Sequence, residues 1–136
     1  MTEAFKPTDQ EAAFLRGLNR TFGAAVGNST ATAVPILLAQ CRSVESLPIP
    51  VTELKFHAVR RWRFDVAFVD AQLAVEVDGG GFIQGRHSRG AGMEKDAEKY
   101  AEAAILGWTI IRTTPKLVKN GQTLDWIVRW FARRTT

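Results

Sequence analysis

VRRWRFDVAFVDAQLAVEVDGG, residues 59–80, carries the pattern from which the architecture can be built. Two runs rich in β-branched and aromatic residues are split near Asp70-Ala71. Trp62, Phe64, Val66 and Phe68 alternate through the first, and Leu73, Val75 and Val77 through the second, as in a hairpin with an apolar face. Successive strand residues point to opposite faces. Arg61, Arg63, Asp65, Ala67 and Val69 therefore share the other face of the first strand, and Ala74, Glu76 and Asp78 that of the second. A turn centred between Asp70 and Ala71 sets Asp65 directly opposite Glu76. Like charges facing each other across a ladder are destabilising. Two readings meet that cost. Either a divalent cation joins the carboxylates, and oxygen-only ligands suit magnesium, manganese or calcium, or Arg61 and Arg63 neutralise an ordinary solvated face.

Outward from the hairpin, Lys55 to Val69 reads as the first strand and Leu73 to Val77 as the second. The glycine-rich loop Gly79 to Gly92 follows, with Arg86, His87 and Arg89. Met93 to Leu106 then turns helical, with Ala97, Tyr100, Ala101, Ala104 and Ile105 as the expected buried stripe and Gly107 at its C-terminal end. Trp108 to Thr113 is a short apolar strand. A strand, helix and strand in this order predict a crossover that lays this strand parallel to Leu73–Val77. Thr114-Pro115 starts a helical turn that stops at Asn120-Gly121, and Thr123 to Arg134 is a last helix burying Leu124, Ile127, Val128 and Phe131. Towards the N-terminus, Thr8 to Phe22 reads as an amphipathic helix opened by the capping box Thr8-x-x-Glu11. Residues 23–50 are the least legible stretch: Pro35 to Cys41 suits a short helix, and the prolines of SLPIPV forbid one. The expectation is a single α/β domain over residues 1–136 with a mixed sheet.

Composition bounds the function. The 136 residues are 46% hydrophobic and 24% charged, a globular balance that excludes global disorder. A single cysteine, Cys41, excludes an internal disulfide, and no cysteine–histidine cluster offers a zinc site. No apolar run approaches a bilayer span and no leader-like segment opens the chain, so a soluble, cytoplasmic protein is expected. The net charge of +4 is unevenly spread: residues 1–54 carry four basic and five acidic side chains, residues 55–136 fourteen and nine. A basic surface around a carboxylate metal site is what a polyanion such as DNA needs. Mildly basic domains with no such partner share the same balance.

With acids, hairpin, helix and strand in this order, the chain resembles the PD-(D/E)XK, or restriction-endonuclease-like, nuclease superfamily. The likeness runs well over residues 55–115 and loosely over 8–22. The longer string RRWRFD…LAVEVDGG…GRHSRG…EKDAEKYAEAAILGW is similar to small phage-type and Holliday-junction-resolvase-like members, and its EVDG…H…D…GW layout to very-short-patch-repair endonucleases. The resemblance implies a mixed β-sheet flanked by helices, with magnesium, or manganese in its place, held by Asp65 and Glu76. Asp78 stands where the family has a lysine. The resemblance then implies a substitute from the next helix: Lys99 first, or Lys95 on the same face, where a solvated helix face is the other reading. Asp78 and the backbone carbonyl of Val77 are further candidate metal ligands. So is Glu11, since first-helix acids contribute in resolvase-like members, although its capping box explains it equally. His87 either orients water or contacts the scissile phosphate, or is a surface histidine. Arg60, Arg61, Arg63, Arg86, Arg89 and Lys95 are candidate DNA contacts.

Trp62 and Trp108 lie on strand patterns and are expected in the core. Trp126 and Trp130 are offset from the apolar stripe of the last helix, as a subunit contact or as further core. The expected function is a magnesium-dependent endodeoxyribonuclease of a bacterial or phage-infected cell. Branched DNA such as a four-way junction is the first substrate, cut by a homodimer. A mismatch- or sequence-guided nicking enzyme, and a catalytically inactive DNA-binding module of the same fold, are the alternatives.

Overall fold

The computed structural model describes residues 30–78 and 91–134. The expected helix over 8–22, with Glu11, and the loop residues Arg86, His87 and Arg89 lie outside them. Among the described residues the protein is α/β. Helix α1 (Thr30–Ser43) is followed by strands β1 (Val51–Lys55), β2 (Arg63–Phe68) and β3 (Leu73–Val77), then helix α2 (Ala91–Ile105), strand β4 (Thr109–Thr113), and helices α3 (Pro115–Lys119) and α4 (Gln122–Arg134). They form two compact units, one from Pro50–Thr113 and one whose described residues are 30–49 and 114–134.

The sheet has the order β1-β2-β3-β4. β2 and β3 pair antiparallel in the expected register, with Val66 opposite Val75, Ala67 opposite Ala74 and Phe68 opposite Leu73. β4 runs parallel to β3, with Glu76 beside Arg112. The strand expected from Lys55 to Val69 is shorter, Arg63–Phe68, and a strand that was not expected, β1, precedes it. β1 ends at Lys55, and the chain turns before entering β2 antiparallel to it, with Val51 opposite Ala67 and Lys55 opposite Arg63. That turn lacks glycine, proline and asparagine, the usual punctuation. A histidine closes it: His57 Nδ1 accepts hydrogen bonds from the backbone N–H groups of Val59 (3.2 Å) and Arg60 (2.9 Å). The aromatic residues that made 55–62 look like strand stack instead, Phe56 on Phe64 with ring centroids 4.0 Å apart.

On one face of this sheet lies a core of Phe64, Ala67, Ala74 and Ala103, with Leu54, Phe56, Trp108 and Ile110 packed against it. Ala67 and Ala74 from the strands and Ala103 from α2 are fully buried. Three methyl groups at this contact bring the helix axis close to the sheet, as small residues do at any packed interface. The buried line of α2 therefore runs through Ala103, with Lys99, Tyr100 and Glu102 half-buried beside it, whereas the expected Ala97, Ala101, Ala104 and Ile105 are exposed. Alanines recur on every side of this helix, so apolar spacing misjudged its rotation. Gly107 ends the turn after α2 at φ +94°, where a Cβ would also meet Gln72 Oε1 at 3.0 Å.

In the other unit, α1 extends well beyond the short helix expected at Pro35–Cys41. Its Ala33, Ile36, Leu37, Gln40 and Cys41 are buried at helical spacing. Gln40 Nε2 donates to the carbonyl of Val118 (2.9 Å), and burial pushes the Cys41 thiol up to about 12, an unreactive state. Thr114 caps α3, its hydroxyl accepting from Leu117 N–H. In α4, Leu124 and Ile127 are buried as expected, whereas Val128 and Phe131 are only half-buried. Trp126 and Trp130 are half-buried, and the Arg134 guanidinium lies 4.6 Å over the Trp130 ring.

Candidate active site

Strand β2 is continuous through Asp65, but its surroundings there are irregular. Phe64 and Ala67 belong to one core cluster although strict alternation would set them on opposite faces, and Glu53, next to Asp65 by the β1–β2 register, has φ +54°. The β2–β3 ladder stops at Val66–Val75. One step beyond it, the Asp65 carboxylate takes the place of a backbone acceptor: its Oδ2 accepts the Val77 N–H at 2.8 Å. The two strands part there, and Asp65 is half-buried in the opening.

Glu76 continues β3 into the same opening, with 9% of its side chain exposed. A third group comes from α2. Lys99 lies one helical turn before Ala103, so the alanine contact that draws the helix onto the sheet also lowers Lys99 towards it. Its Nζ donates to Glu76 Oε1 and to the backbone carbonyl of Arg63, the latter at 2.9 Å. Burial pushes the Glu76 carboxyl up to about 7; the Lys99 ammonium opposes this through hydrogen bond and charge, and the Asp65 carboxylate adds to it. Lys99 is thus divided between the Glu76 carboxyl and a backbone carbonyl, while Asp65 stands beside Glu76 as the second acid.

Asp78 behaves differently. It is exposed, and its Oδ2 accepts from Arg112 Nε (3.2 Å) and Nη2 (2.8 Å). The Arg112 guanidinium in turn lies 4.9 Å over the Tyr100 ring. The Tyr100 phenol is pushed up to about 12 by burial and by the negative charge of Glu76, so it stays a hydrogen-bond donor. Asp78 is therefore held by an arginine rather than gathered with Asp65 and Glu76. Among the described residues no three of His, Cys, Asp and Glu converge as a cluster for a metal ion. What does converge is a pair, Asp65 and Glu76, with the Val77 carbonyl as a third oxygen in the same stretch. That set fits a hard cation such as magnesium, which is commonly bound through one or two carboxylates and keeps several waters.

Lys95 is exposed on α2 one turn from Lys99. Arg60 lies 4.6 Å over the Trp62 ring and 3.1 Å from Glu98. Arg61 is exposed, and Arg63 is exposed with Glu53 3.9 Å away. Sequence reasoning missed three participants: Tyr100, taken for core; Arg112, hidden in a short apolar strand; and His57, the turn closer. Arg112 had a signal, because a lone charge in TIIRT beside the Glu76 strand must face one acid or another. Set against protein-family models, curated proteins and solved structures, the chain matches none. No helix among the described residues is long and apolar enough to cross a membrane.

Proposed function

We propose that this protein is a magnesium-dependent endodeoxyribonuclease related to the PD-(D/E)XK superfamily, with branched DNA as its preferred substrate and a homodimer as its working form. The observation that supports this most is the meeting of Asp65, Glu76 and Lys99 where β2 and β3 part. In this reading Asp65 and Glu76, with the Val77 carbonyl, hold the ion, which when bound supplies Lewis-acid polarisation of a phosphate oxygen and acidification of water. Asp65 is pre-oriented, since its Oδ2 accepts the Val77 N–H. Lys99 has three hydrogens to donate. Two go to Glu76 and to the Arg63 carbonyl; the third is available to a phosphate oxygen as negative charge develops on it, the role that a lysine on β3 would otherwise fill. Burial on the sheet side keeps bulk water from this ammonium, which strengthens its field. Arg60, Arg61, Arg63 and Lys95 border the site as exposed or half-exposed cations suited to flanking phosphates.

The test is a panel of duplex, mismatched, flapped and four-way DNA incubated with and without magnesium. Magnesium-dependent nicking, fastest on the four-way substrate, is the expected result. Fastest cutting of a mismatched duplex would move the substrate to mismatch-directed nicking. Binding without cleavage under magnesium or manganese would reduce the protein to a DNA-binding module.

A further inference from the structure

Beside the acid pair, α2 and β4 enclose an open groove of about 310 Å³ lined by Tyr100, Ala104, Trp108, Ile110 and Arg112. We propose that this groove is a stacking subsite for one unpaired nucleobase of the strand whose phosphate is presented to Asp65, Glu76 and Lys99. The inference rests on the nuclease reading for its account of the phosphate, while the groove itself is defined independently.

Four observations carry it. The lining supplies two aromatic rings and two small or branched aliphatic side chains, and aromatic faces are what single-stranded nucleic acid uses irrespective of sequence. Trp108 is anchored from behind by Phe64, with ring centroids 4.9 Å apart, so its position is fixed by the core. The volume, at the small end of ligand pockets, suits one nucleoside rather than a peptide segment. The rim is cationic: Arg112 is held by Asp78 through Nε and Nη2, which leaves its remaining N–H groups as fixed donors for a base carbonyl or the adjoining phosphate.

Position identifies the occupant. Arg112 is the β4 neighbour of Glu76 in the parallel register. Both cations lie near the Tyr100 ring, the Arg112 guanidinium 4.9 Å and Lys99 Nζ 5.8 Å from its centroid. Tyr100 thus belongs to the groove and also neighbours Glu76 and Lys99, so adjacent nucleotides of one strand suit the two places. A base available for such stacking exists at a junction, flap or mismatch and is absent from intact duplex, where it would first have to be unstacked.

Ala104 offers a clean occlusion, because it is exposed, helical and outside the acid site. In the full chain, Ala104→Phe fills the groove, and Ala101→Phe, at an exposed α2 position that does not line it, is the control. Each protein is titrated in metal-free buffer with decathymidylate and with a base-free decamer of the same sugar-phosphate chain, followed by fluorescence anisotropy. The wild type and Ala101→Phe should bind the base-bearing strand about tenfold or more tighter, the order that stacking on aromatic residues supplies. Ala104→Phe should bind both strands alike, at the base-free level. A wild type indifferent to the bases, or an Ala104→Phe protein that keeps the preference, overturns the subsite. The base-free comparison uses unaltered protein and so holds even if Ala104→Phe misfolds. Magnesium-dependent cleavage without any base preference would remove the subsite and leave the nuclease; base preference without cleavage would keep the subsite and remove the nuclease.

Discussion

Glu76 and Asp78 leave the end of β3 two residues apart, each against a basic side chain, and the two pairs differ in almost every other respect. Lys99 reaches Glu76 from the core side, with 16% and 9% of the two side chains exposed; Arg112 meets Asp78 in solvent, with 52% and 48% exposed. In solvent, screening and the entropy of two free side chains leave an ion pair worth about 0–1 kcal/mol. In the opening between β2 and β3 the charges have lost most of their water, and a second acid, Asp65, stands beside Glu76. The consequence is visible in Glu76, whose carboxyl burial lifts to about 7 in spite of Lys99. A fold gains little stability from such a group. Perturbed acids of this kind gather where a ligand or a reaction compensates them, so the proposed function places the metal at the buried pair, while the exposed pair holds Arg112 over Tyr100.

The largest expected effect separates the two acids. Asp65→Asn or Glu76→Gln should lower magnesium-dependent cleavage on the order of a thousandfold or more, as loss of a metal ligand does, with DNA binding in metal-free buffer retained. Asp78→Asn should cost less than about tenfold, because its partner is a solvated guanidinium. Single-turnover cleavage assays on the three variants measure this directly, and equal losses at positions 76 and 78 would erase the distinction between the pairs.

Next in size is the lysine. Lys99→Ala should slow cleavage by on the order of a hundredfold, the usual effect of removing a charge-stabilising donor. Lys95→Ala, one turn away and exposed, should slow it by no more than a few-fold. The reverse ranking would show that the α2 face turned to Glu76 is not the face that does the chemistry.

A smaller effect concerns stability. Burial pushes the native Glu76 carboxyl up to about 7, against an ordinary value of 4.5. The folded state therefore holds a proton that the unfolded chain releases between these values. Stability from this group falls as pH rises from about 4.5 through 7 and levels off above. Glu76→Gln has no such loss, so in metal-free buffer at pH 8 it should melt higher than the wild type, by up to about 3 kcal/mol in stability. The two should converge near pH 4, and saturating magnesium should narrow the gap at pH 8. A wild type that melts above Glu76→Gln at pH 8 without metal would mean that Lys99 outweighs burial. Asp78→Asn should shift stability by less than about 1 kcal/mol at any of these pH values.

Much of this arrangement is legible in residues 59–80. Strict alternation and a turn centred between Asp70 and Ala71 give the β2–β3 register, and that register brings Asp65 beside Glu76. The parallel β4 and the last helix follow from strand–helix–strand order and from helical spacing. The misjudged parts have identifiable causes. The β1–β2 turn is closed by a histidine side chain, which no composition rule flags. The face of α2 is set by the fit of Ala103 against Ala67 and Ala74, a matter of shape that alanine spacing does not encode. The place of Lys99 follows from the motif order, whereas alternation groups Asp78 with the other acids because it shows which face a residue shares and cannot show that an arginine on another strand already holds it.

Manganese titration followed by electron paramagnetic resonance tests the division between the two pairs most directly, since it needs neither the right DNA nor turnover. The wild type and Asp78→Asn should each bind an ion at pH 8 with similar affinity, which weakens as pH falls below 7 and Glu76 takes up its proton. Asp65→Asn and Glu76→Gln should lose that binding. An ion bound undiminished by Glu76→Gln, one lost with Asp78→Asn, or a wild type that binds none would contradict a metal site built on Asp65 and Glu76.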